Sequence, residues 1–224
     1  YFDITIMPLV NLWGFGPKGF KNEPQEEQIK EALKVVGMKN IKVIGDRLIK
    51  KKKGISIDVN GIAQGYTVDL LSAYFEAQQI TNFIIEVGGE IRASGRKPQG
   101  DFIVEIQRPY QSPELSNYKV RLNNKAITTS GTYEKQVKVG NKIVSHHIDP
   151  KTGYPITNKT VSVTVIANSA LEADALDNYL MFIDPQKVIQ FIEKQKGMEV
   201  YVVYFENKML KELQSSGFNN YIYN

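Results

Sequence analysis

Hydrophobic and polar residues form short blocks along the chain that predict both strands and helices. Alternation with a period of two predicts strands over residues 55–59 and 161–166, the second of them half-buried. A stripe of apolar residues at helical spacing predicts a helix that runs to about residue 78 and turns this stripe toward the core. The members of the stripe are Ile62, Tyr66, Leu70, Ala73 and Ala77.

Capping and turn residues place the other predicted elements. Ser169 with Glu172 three residues later forms a capping box that predicts the start of a helix. Mixed elements without strict alternation predict an α+β fold. The remaining predicted helices cover about 24–36, 169–183 and 185–197, and the strands cover 41–44, 48–50, 83–87, 102–107, 118–122, 125–128, 134–139, 142–144 and 200–205, with a further strand after 207.

Composition narrows the chemistry that this chain can perform. It has 224 residues and contains no cysteine, which excludes disulfides, thiolate catalysis and cysteine-ligated metal centres in this sequence. The net charge of +4 is small, and the four lysines at 50–53 are best explained as a solvated hairpin edge, so no nucleic-acid partner is expected. Because the sequence starts at Tyr1 without a Met, we expect it to be the C-terminal portion of a longer protein.

Two acidic residues and an amide lie on one face of the helix that Ser169 begins. Asp177 and Asn178 follow Asp174 by three and four residues, a spacing that places both of them about one turn after it. Oxygen donors of this kind suit Mg²⁺, which commonly takes one or two protein carboxylates together with substrate phosphates. The alternative is an exposed polar face near the helix start, where acidic residues are also favoured.

A second candidate is the strand–turn–helix segment of residues 58–66. Gly61 and Gly65 allow another group to approach the backbone closely, and the start of a helix favours a phosphate. The alternative is a tight turn in which Asp58 acts as a capping residue.

Both histidines of the chain lie in a third segment, residues 145–155. His146 and Asp149 are three residues apart before a Thr-Gly turn, so they could position a general base or contact a ligand. The alternative is a structural turn with one partly buried histidine. A His-only zinc site is not expected, because the chain has no further histidine.

Two shorter segments are candidates for ligand contact. Residues 128–133 are rich in hydroxyl groups and include Ser130, and residues 88–90 form a Gly-Gly-Glu turn. The first could offer backbone and hydroxyl donors to a ligand, and the second could allow close backbone approach. Either could also be an ordinary turn.

In their order along the chain, these segments resemble the ApbE family of flavin transferases. The resemblance covers essentially the whole chain as one domain, residues 1–224, without the family's N-terminal part. It implies an ApbE-like, T-fold-related α+β fold with mixed, largely antiparallel sheets and packed helices. The matching motifs lie at 2–5, 8–16, 58–69, 86–89, 129–133, 146–155 and 173–175.

The resemblance implies a role for individual residues. His146 and Asp149 are implied as catalytic groups. Two positions depart from the family pattern: Asn178 stands where the family usually has Thr, and Gln64 where many members carry Lys. The implied Mg²⁺ ligands are Gly61, Asp174, Asp177 and Asn178, and the implied FAD contacts are Tyr1, Phe2, Asp3, Asp58, Gln64, Gly89, Ser130 and Ile148.

The resemblance also implies a reaction, a set of partners and a location. FMN is transferred from FAD to a Thr or Ser hydroxyl of an acceptor protein, such as a redox-pump subunit, and AMP is released. The expected location is periplasmic or extracytoplasmic, with a lipid anchor in the N-terminal part as the one membrane contact, and the expected state is a monomer or homodimer. The alternatives are an FAD pyrophosphatase, a flavin-binding protein without turnover, and a structural domain without a ligand.

Overall fold

The structure is a computed structural model, and it describes residues 2–17, 19–20, 22–133, 135–139 and 142–223. The helices are α1 (Met7–Leu12), α2 (Glu26–Leu33), α3 (Ala63–Ala77), α4 (Ala170–Leu180) and α5 (Pro185–Ile192). The strands are β1 (Ile41–Ile44), β2 (Arg47–Lys50), β3 (Phe83–Val87), β4 (Glu90–Ser94), β5 (Phe102–Glu105), β6 (Lys119–Leu122), β7 (Lys125–Gly131), β8 (Gln136–Val139), β9 (Lys142–Ser145), β10 (Thr160–Ala167), β11 (Glu199–Glu206) and β12 (Met209–Gln214). These elements confirm the α+β class. Within the described ranges, no helix is long and apolar enough to cross a membrane.

The chain folds into two compact units. The first unit combines residues 1–59 and 132–157, and the second combines residues 60–131 and 158–224. The first unit holds α1, α2 and the antiparallel pairs β1–β2 and β8–β9. The predicted turn at residues 140–141 between β8 and β9 lies outside the described residues.

The core of the first unit forms where α1 and α2 pack against residues from the second stretch of that unit. Leu9, Trp13, Ile29 and Ile148 are buried together there. The Trp13 indole N–H donates to the Gly153 carbonyl oxygen over 2.7 Å. These contacts join α1 to the loop that follows the two histidines.

The second unit is built on an antiparallel sheet. Its order in the described residues is β12-β11-β10-β7-β4-β3. Helices α3 and α4 cover one face, where Val68 of α3 and Ala170 of α4 share a cluster with Phe83, Ile85 and Ala126 of the strands. Every residue of β10 is buried, so the expectation of a half-buried strand is wrong. Strand β10 is paired on both sides, with β7 and β11. Because side chains alternate between the two faces of a sheet, the burial of every residue means that both faces are covered at this strand.

The predicted strand over residues 55–59 is also wrong. In the structure this segment has no strand. It makes a hydrogen bond to a distant segment instead of a ladder: the Asp58 N–H donates to the Ile4 carbonyl oxygen over 2.7 Å. The alternation does not describe the burial either, since Val59 is exposed and Asp58 is buried. A strand also needs a partner with free backbone groups.

The apolar stripe predicted for α3 faces away from the sheet. Tyr66 is 56% exposed and Leu70 is 57% exposed, whereas Gly65, Val68 and Ser72 are buried. The helix therefore packs through a different face, which combines small residues with the apolar Val68. Close approach to α4 selects that face, because a Cβ at Gly65 would lie 2.4 Å from the Ala170 carbonyl oxygen.

Candidate functional site

Helix α4 carries the predicted carboxylate cluster in the second unit. The helix begins where expected, since the Ser169 hydroxyl accepts a hydrogen bond from the Glu172 N–H over 3.3 Å. One and two turns later, Asp174 and Asp177 are both 1% exposed. The alternative of an exposed polar face is therefore wrong for these two residues.

Asp174 is held by the start of α3. Its Oδ2 accepts a hydrogen bond from the Gly65 N–H over 2.9 Å. Burial raises the pKa of Asp174, although this hydrogen bond partly opposes the shift. The prediction that Gly65 admits a close neighbour is confirmed, and the neighbour is α4 itself.

Asp177 lies deeper, against strand β7. Its Oδ1 accepts a hydrogen bond from the Ser130 hydroxyl over 3.0 Å. Burial raises the pKa of Asp177 well above its usual value, and the nearby charge of Asp174 adds to this shift. Ser130, predicted as a ligand contact, is thus directly connected to the carboxylate pair.

Asn178 bridges the two carboxylates with its amide nitrogen. Nδ2 donates to Asp174 Oδ1 over 3.2 Å, to the Asp174 carbonyl oxygen over 2.9 Å and to Asp177 Oδ1 over 3.0 Å. In this arrangement the amide supplies the positive side of a dipole where a cation would otherwise compensate the two acids. The amide oxygen would reach a cation only after the group turns over.

The donor set fits a hard divalent cation that also binds substrate oxygens. Among the described residues, no three His, Asp or Glu side chains lie in a metal-ligating group. Two carboxylates would fill only part of the coordination sphere of such a cation. The other coordination positions would be left to carbonyl oxygens, water or phosphate, which is how Mg²⁺ is usually held. Raised pKa values at both acids mean that an added positive charge nearby would be favourable.

The glycine turns predicted around the site belong to the same unit. Gly61 precedes α3, and Gln64 lies in its first turn. Gln64 Nε2 donates to the Gly88 carbonyl oxygen over 3.5 Å, at the turn that joins β3 to β4. A Cβ at Gly88 would lie 2.0 Å from that nitrogen, whereas a Cβ at Gly89 would meet open space. Gly89 is exposed. Its φ of +111° is a backbone conformation that favours glycine.

The histidine pair lies in the first unit. Burial lowers the pKa of His146 and lowers that of His147 further, because His147 is 4% exposed and next to His146. The two rings have centroids 4.1 Å apart. His147 is therefore a neutral, buried side chain.

His146 has the features of a general base. Its Nδ1 lies 3.3 Å from the Lys135 carbonyl oxygen. A carbonyl oxygen can only accept, so Nδ1 carries the proton and Nε2 has the free lone pair. With its pKa lowered, the ring is neutral at pH 7 and ready to take a proton.

Asp149 and Ile148 shape the turn after the histidines. Asp149 Oδ1 accepts from the Lys151 N–H over 2.8 Å, and its carbonyl oxygen accepts from the Gly153 N–H over 2.7 Å. These bonds support a structural role for the turn, while the catalytic role of Asp149 stays a prediction. Ile148 is buried in the core, so any ligand contact there falls to its backbone.

The N-terminal residues of the predicted flavin site are placed in the first unit. Asp3 accepts from the Thr5 N–H and hydroxyl, over 2.9 and 2.6 Å, and from the Met38 N–H over 3.1 Å. Phe2 is partly exposed and Asp58 is buried. Tyr1 lies outside the described residues.

One residue that holds the site together was not predicted from the sequence. Asp69 of α3 accepts hydrogen bonds from the first turn of α4. Its signal was present in the sequence: Asp69 is four residues after Gly65, on the same helical face. The large apolar residues of α3 predict a different packed face, so the face that carries Asp69 was not expected to contact α4.

Comparison with known proteins gives a consistent family match. The model of the ApbE family matches residues 1–202. The chain is 37% identical over 226 residues to an FAD:protein FMN transferase of Klebsiella pneumoniae (strain 342), and 35% identical to one of Escherichia coli (strain K12). Each alignment covers 98% of this chain, and the chain spans 64% of the length of these curated relatives.

Solved structures give the same result. The Pseudomonas stutzeri flavinyl transferase ApbE, in its apo form, matches 98% of this chain with a TM-score of 0.85 and 34% identity, over 68% of its own chain. The ApbE protein of Thermotoga maritima matches 100% of this chain with a TM-score of 0.85 and 30% identity, over 72% of its own chain. Both likenesses agree with the α+β class expected from the sequence.

Proposed function

The chain belongs to the ApbE family, and from that premise we propose that it transfers FMN from FAD to a Thr or Ser hydroxyl of an acceptor protein, with Mg²⁺, and releases AMP. The relatives named FAD:protein FMN transferase support the flavin chemistry. One observation in the structure carries the proposal: the buried, hydrogen-bonded carboxylate pair of α4, Asp174 and Asp177, at the start of α3.

The residues that would hold Mg²⁺ are the carboxylates of Asp174 and Asp177, with the Gly61 carbonyl and the Asn178 amide oxygen as further donors. Bound there, Mg²⁺ supplies positive charge to the pyrophosphate of FAD, which is most of what such a transfer requires from a protein. Gly65 and Ser130 orient the two carboxylates by donating to them. Without those donors, two buried acids would be held in place less firmly and would stay protonated to a higher pH.

The reaction balances as a single displacement. The acceptor hydroxyl oxygen forms a bond to the FMN-side phosphorus, and the bond from that phosphorus to the bridging oxygen breaks. AMP leaves with the bridging oxygen and its electron pair. The hydroxyl proton passes to Nε2 of His146, which is the unprotonated nitrogen of a neutral ring.

One experiment separates this proposal from its two alternatives, an FAD pyrophosphatase and a flavin-binding protein without turnover. The protein is incubated with FAD, Mg²⁺ and a purified redox-pump subunit, followed by intact-mass spectrometry of the subunit and chromatography of the nucleotides. The proposal predicts a mass gain equal to FMN less one water, with AMP formed in equal amount. AMP without a mass gain would indicate a pyrophosphatase, and neither product would indicate a binding protein.

A further inference from the structure

Helices α3 and α4 approach so closely that a backbone N–H of one bonds to a site carboxylate of the other. The Gly65 N–H donates to Asp174 Oδ2 over 2.9 Å. A Cβ at Gly65 would lie 2.8 Å from the Cβ of Asp174, so this contact tolerates little displacement. The position of the Asp174 carboxylate therefore depends on how α4 is seated against α3.

Asp69 fixes the first turn of α4. Its Oδ2 accepts from the Ser169 hydroxyl over 2.6 Å and from the Leu171 N–H over 2.9 Å, and its Oδ1 accepts from the Ala170 N–H over 3.0 Å. The first N–H groups of a helix have no partner within the helix. The Asp69 carboxylate of α3 thus accepts hydrogen bonds from N–H groups of α4 that would otherwise have only water as a partner.

Hydrogen bonds thus join the two helices at two points along their length. Asp69 lies one turn after Gly65 on α3, and Ala170 lies one turn before Asp174 on α4. The contact at Asp69 and the contact at Asp174 are therefore one turn apart along both helices. Loss of the first would allow α4 to pivot or slide about the second.

Asp69 is suited to this task because it stays ionised. Arg92 of β4 donates to Asp69 Oδ1 over 2.7 Å. Burial alone would raise the pKa of Asp69, but the hydrogen bonds from Ser169 and from the α4 backbone hold it below its usual value. Each of the two Asp69 oxygens accepts two of these four hydrogen bonds. In an asparagine at this position an NH₂ group would replace one oxygen and would face two donors.

We propose that Asp69 is a positioning residue for the cation site: its carboxylate seats α4 against α3 and thereby sets where Asp174 and Asp177 lie. The inference rests on the proposed function, because the site it serves is the proposed Mg²⁺ site. Asp69 itself touches neither the cation nor the flavin in this account. Its effect is transmitted through the start of α4.

The test is a titration of the purified protein with Mn²⁺, followed by electron paramagnetic resonance of the free ion. Mn²⁺ is the probe because it uses the same oxygen ligands as Mg²⁺. For Asp69→Asn we expect a Kd for Mn²⁺ about 10-fold higher than that of the unmodified protein, a size typical of residues that orient metal ligands. Thermal melts of the same samples show that each is folded at the temperature of the titration.

Glu212→Gln is the matched control. Glu212 is also a carboxylate of the second unit that holds neighbouring elements, since it accepts from the Ser116 N–H over 2.8 Å, from the Ser116 hydroxyl over 2.9 Å and from the Tyr201 hydroxyl. None of these partners belongs to α3 or α4. We expect Glu212→Gln to lower the melting temperature and to leave the Kd for Mn²⁺ within about twofold, since it removes no group that orients a ligand.

The outcomes separate the two proposals. If the unmodified protein binds Mn²⁺ and Asp69→Asn binds it equally well while melting at a lower temperature, Asp69 is structural only and the inference is overturned. If the unmodified protein binds no Mn²⁺, the metal site itself is contradicted, and the inference is lost with it. Should Asp69→Asn not fold, Ser169→Ala removes one of its donors, and an unchanged Kd in that variant would equally overturn the inference.

Discussion

The carboxylate pair of α4 is buried, and of the histidine pair at residues 146–147 the first is partly buried and the second buried, yet burial moves the pKa values of the two pairs in opposite directions. It raises the pKa of Asp174 and Asp177 and lowers that of His146 and His147. In both cases the neutral form is favoured over the charged one. The difference lies in what each pair can then do: the acids gain from an added cation, whereas the histidine is left as a base without a charge.

The hydrogen-bond partners of the carboxylate pair and of His146 differ in the same sense. The hydrogen bonds to the acids come from Gly65, Ser130 and the Asn178 amide. His146 is approached by an acceptor, the Lys135 carbonyl oxygen, which fixes its proton on Nδ1. One region is prepared to hold positive charge, and the other to accept a proton.

The largest expected effect tests the cation side of this comparison. We expect Asp174→Ala and Asp177→Ala each to lower the rate of FMN transfer about 1,000-fold at fixed Mg²⁺, since charge stabilisation by a bound metal contributes several kcal/mol. The rate is measured from FMN attached to the acceptor over time. An unchanged Mg²⁺-dependent rate in Asp174→Ala would refute its role as a ligand.

Removal of the proposed general base should lower the rate of FMN transfer by a somewhat smaller factor. His146→Ala should lower the rate about 100-fold at saturating FAD, the lower end of what a general base contributes. His147→Ala, its matched control, should leave a rate per folded molecule close to that of the unmodified protein but lower the free energy of unfolding by about 2 kcal/mol, as expected for a truncated buried side chain. Equal rate losses in both variants would show that the ring pair is a structural unit.

Much of this division was predictable from the sequence, because it depends on local spacing. Ser169 begins α4, and helical geometry then places positions 174, 177 and 178 on one face. The packed face of α3 was not predictable in this way. Its contact with α4 depends on the missing side chain of Gly65 and on donors 100 to 102 residues away from Asp69, which no local pattern contains. The full burial of β10 likewise follows from its two neighbours in the sheet rather than from its own alternation.

Opposite pH dependence is the next consequence. For the histidines, whose folded-state pKa is below the usual value of 6.5, the unfolded chain binds more protons as the pH falls, so their contribution to stability is full above about pH 6.5 and lost below it. For the two acids, with a folded-state pKa above 3.8, the contribution is full below that pH and lost as the pH rises through the folded pKa. We expect His147→Leu to reduce the loss of stability between about pH 6.5 and pH 5, measured by urea unfolding without divalent metal. An identical loss in the unmodified protein would contradict the histidine assignment.

The smallest effect concerns the amide between the acids. Asn178→Ala removes the Nδ2 donor shared by Asp174 and Asp177, and should lower the free energy of unfolding by about 2 kcal/mol in metal-free buffer, as for a hydrogen bond to charged groups. Added Mg²⁺ should enlarge this difference, because Asn178 is one of the proposed ligands and its loss weakens the binding of a cation that stabilises the folded protein. A loss that is the same with and without Mg²⁺ would contradict the role of Asn178 as a ligand.

The claim that connects these predictions is that the buried acids of α4 form the Mg²⁺ site of a flavin transferase. Isothermal titration calorimetry with MgCl₂, in the presence of FAD, tests it on the unmodified protein and on Asp174→Asn, which keeps the size of the side chain. The account predicts saturable Mg²⁺ binding by the unmodified protein and its loss in the variant. Binding of equal affinity in Asp174→Asn would contradict the account.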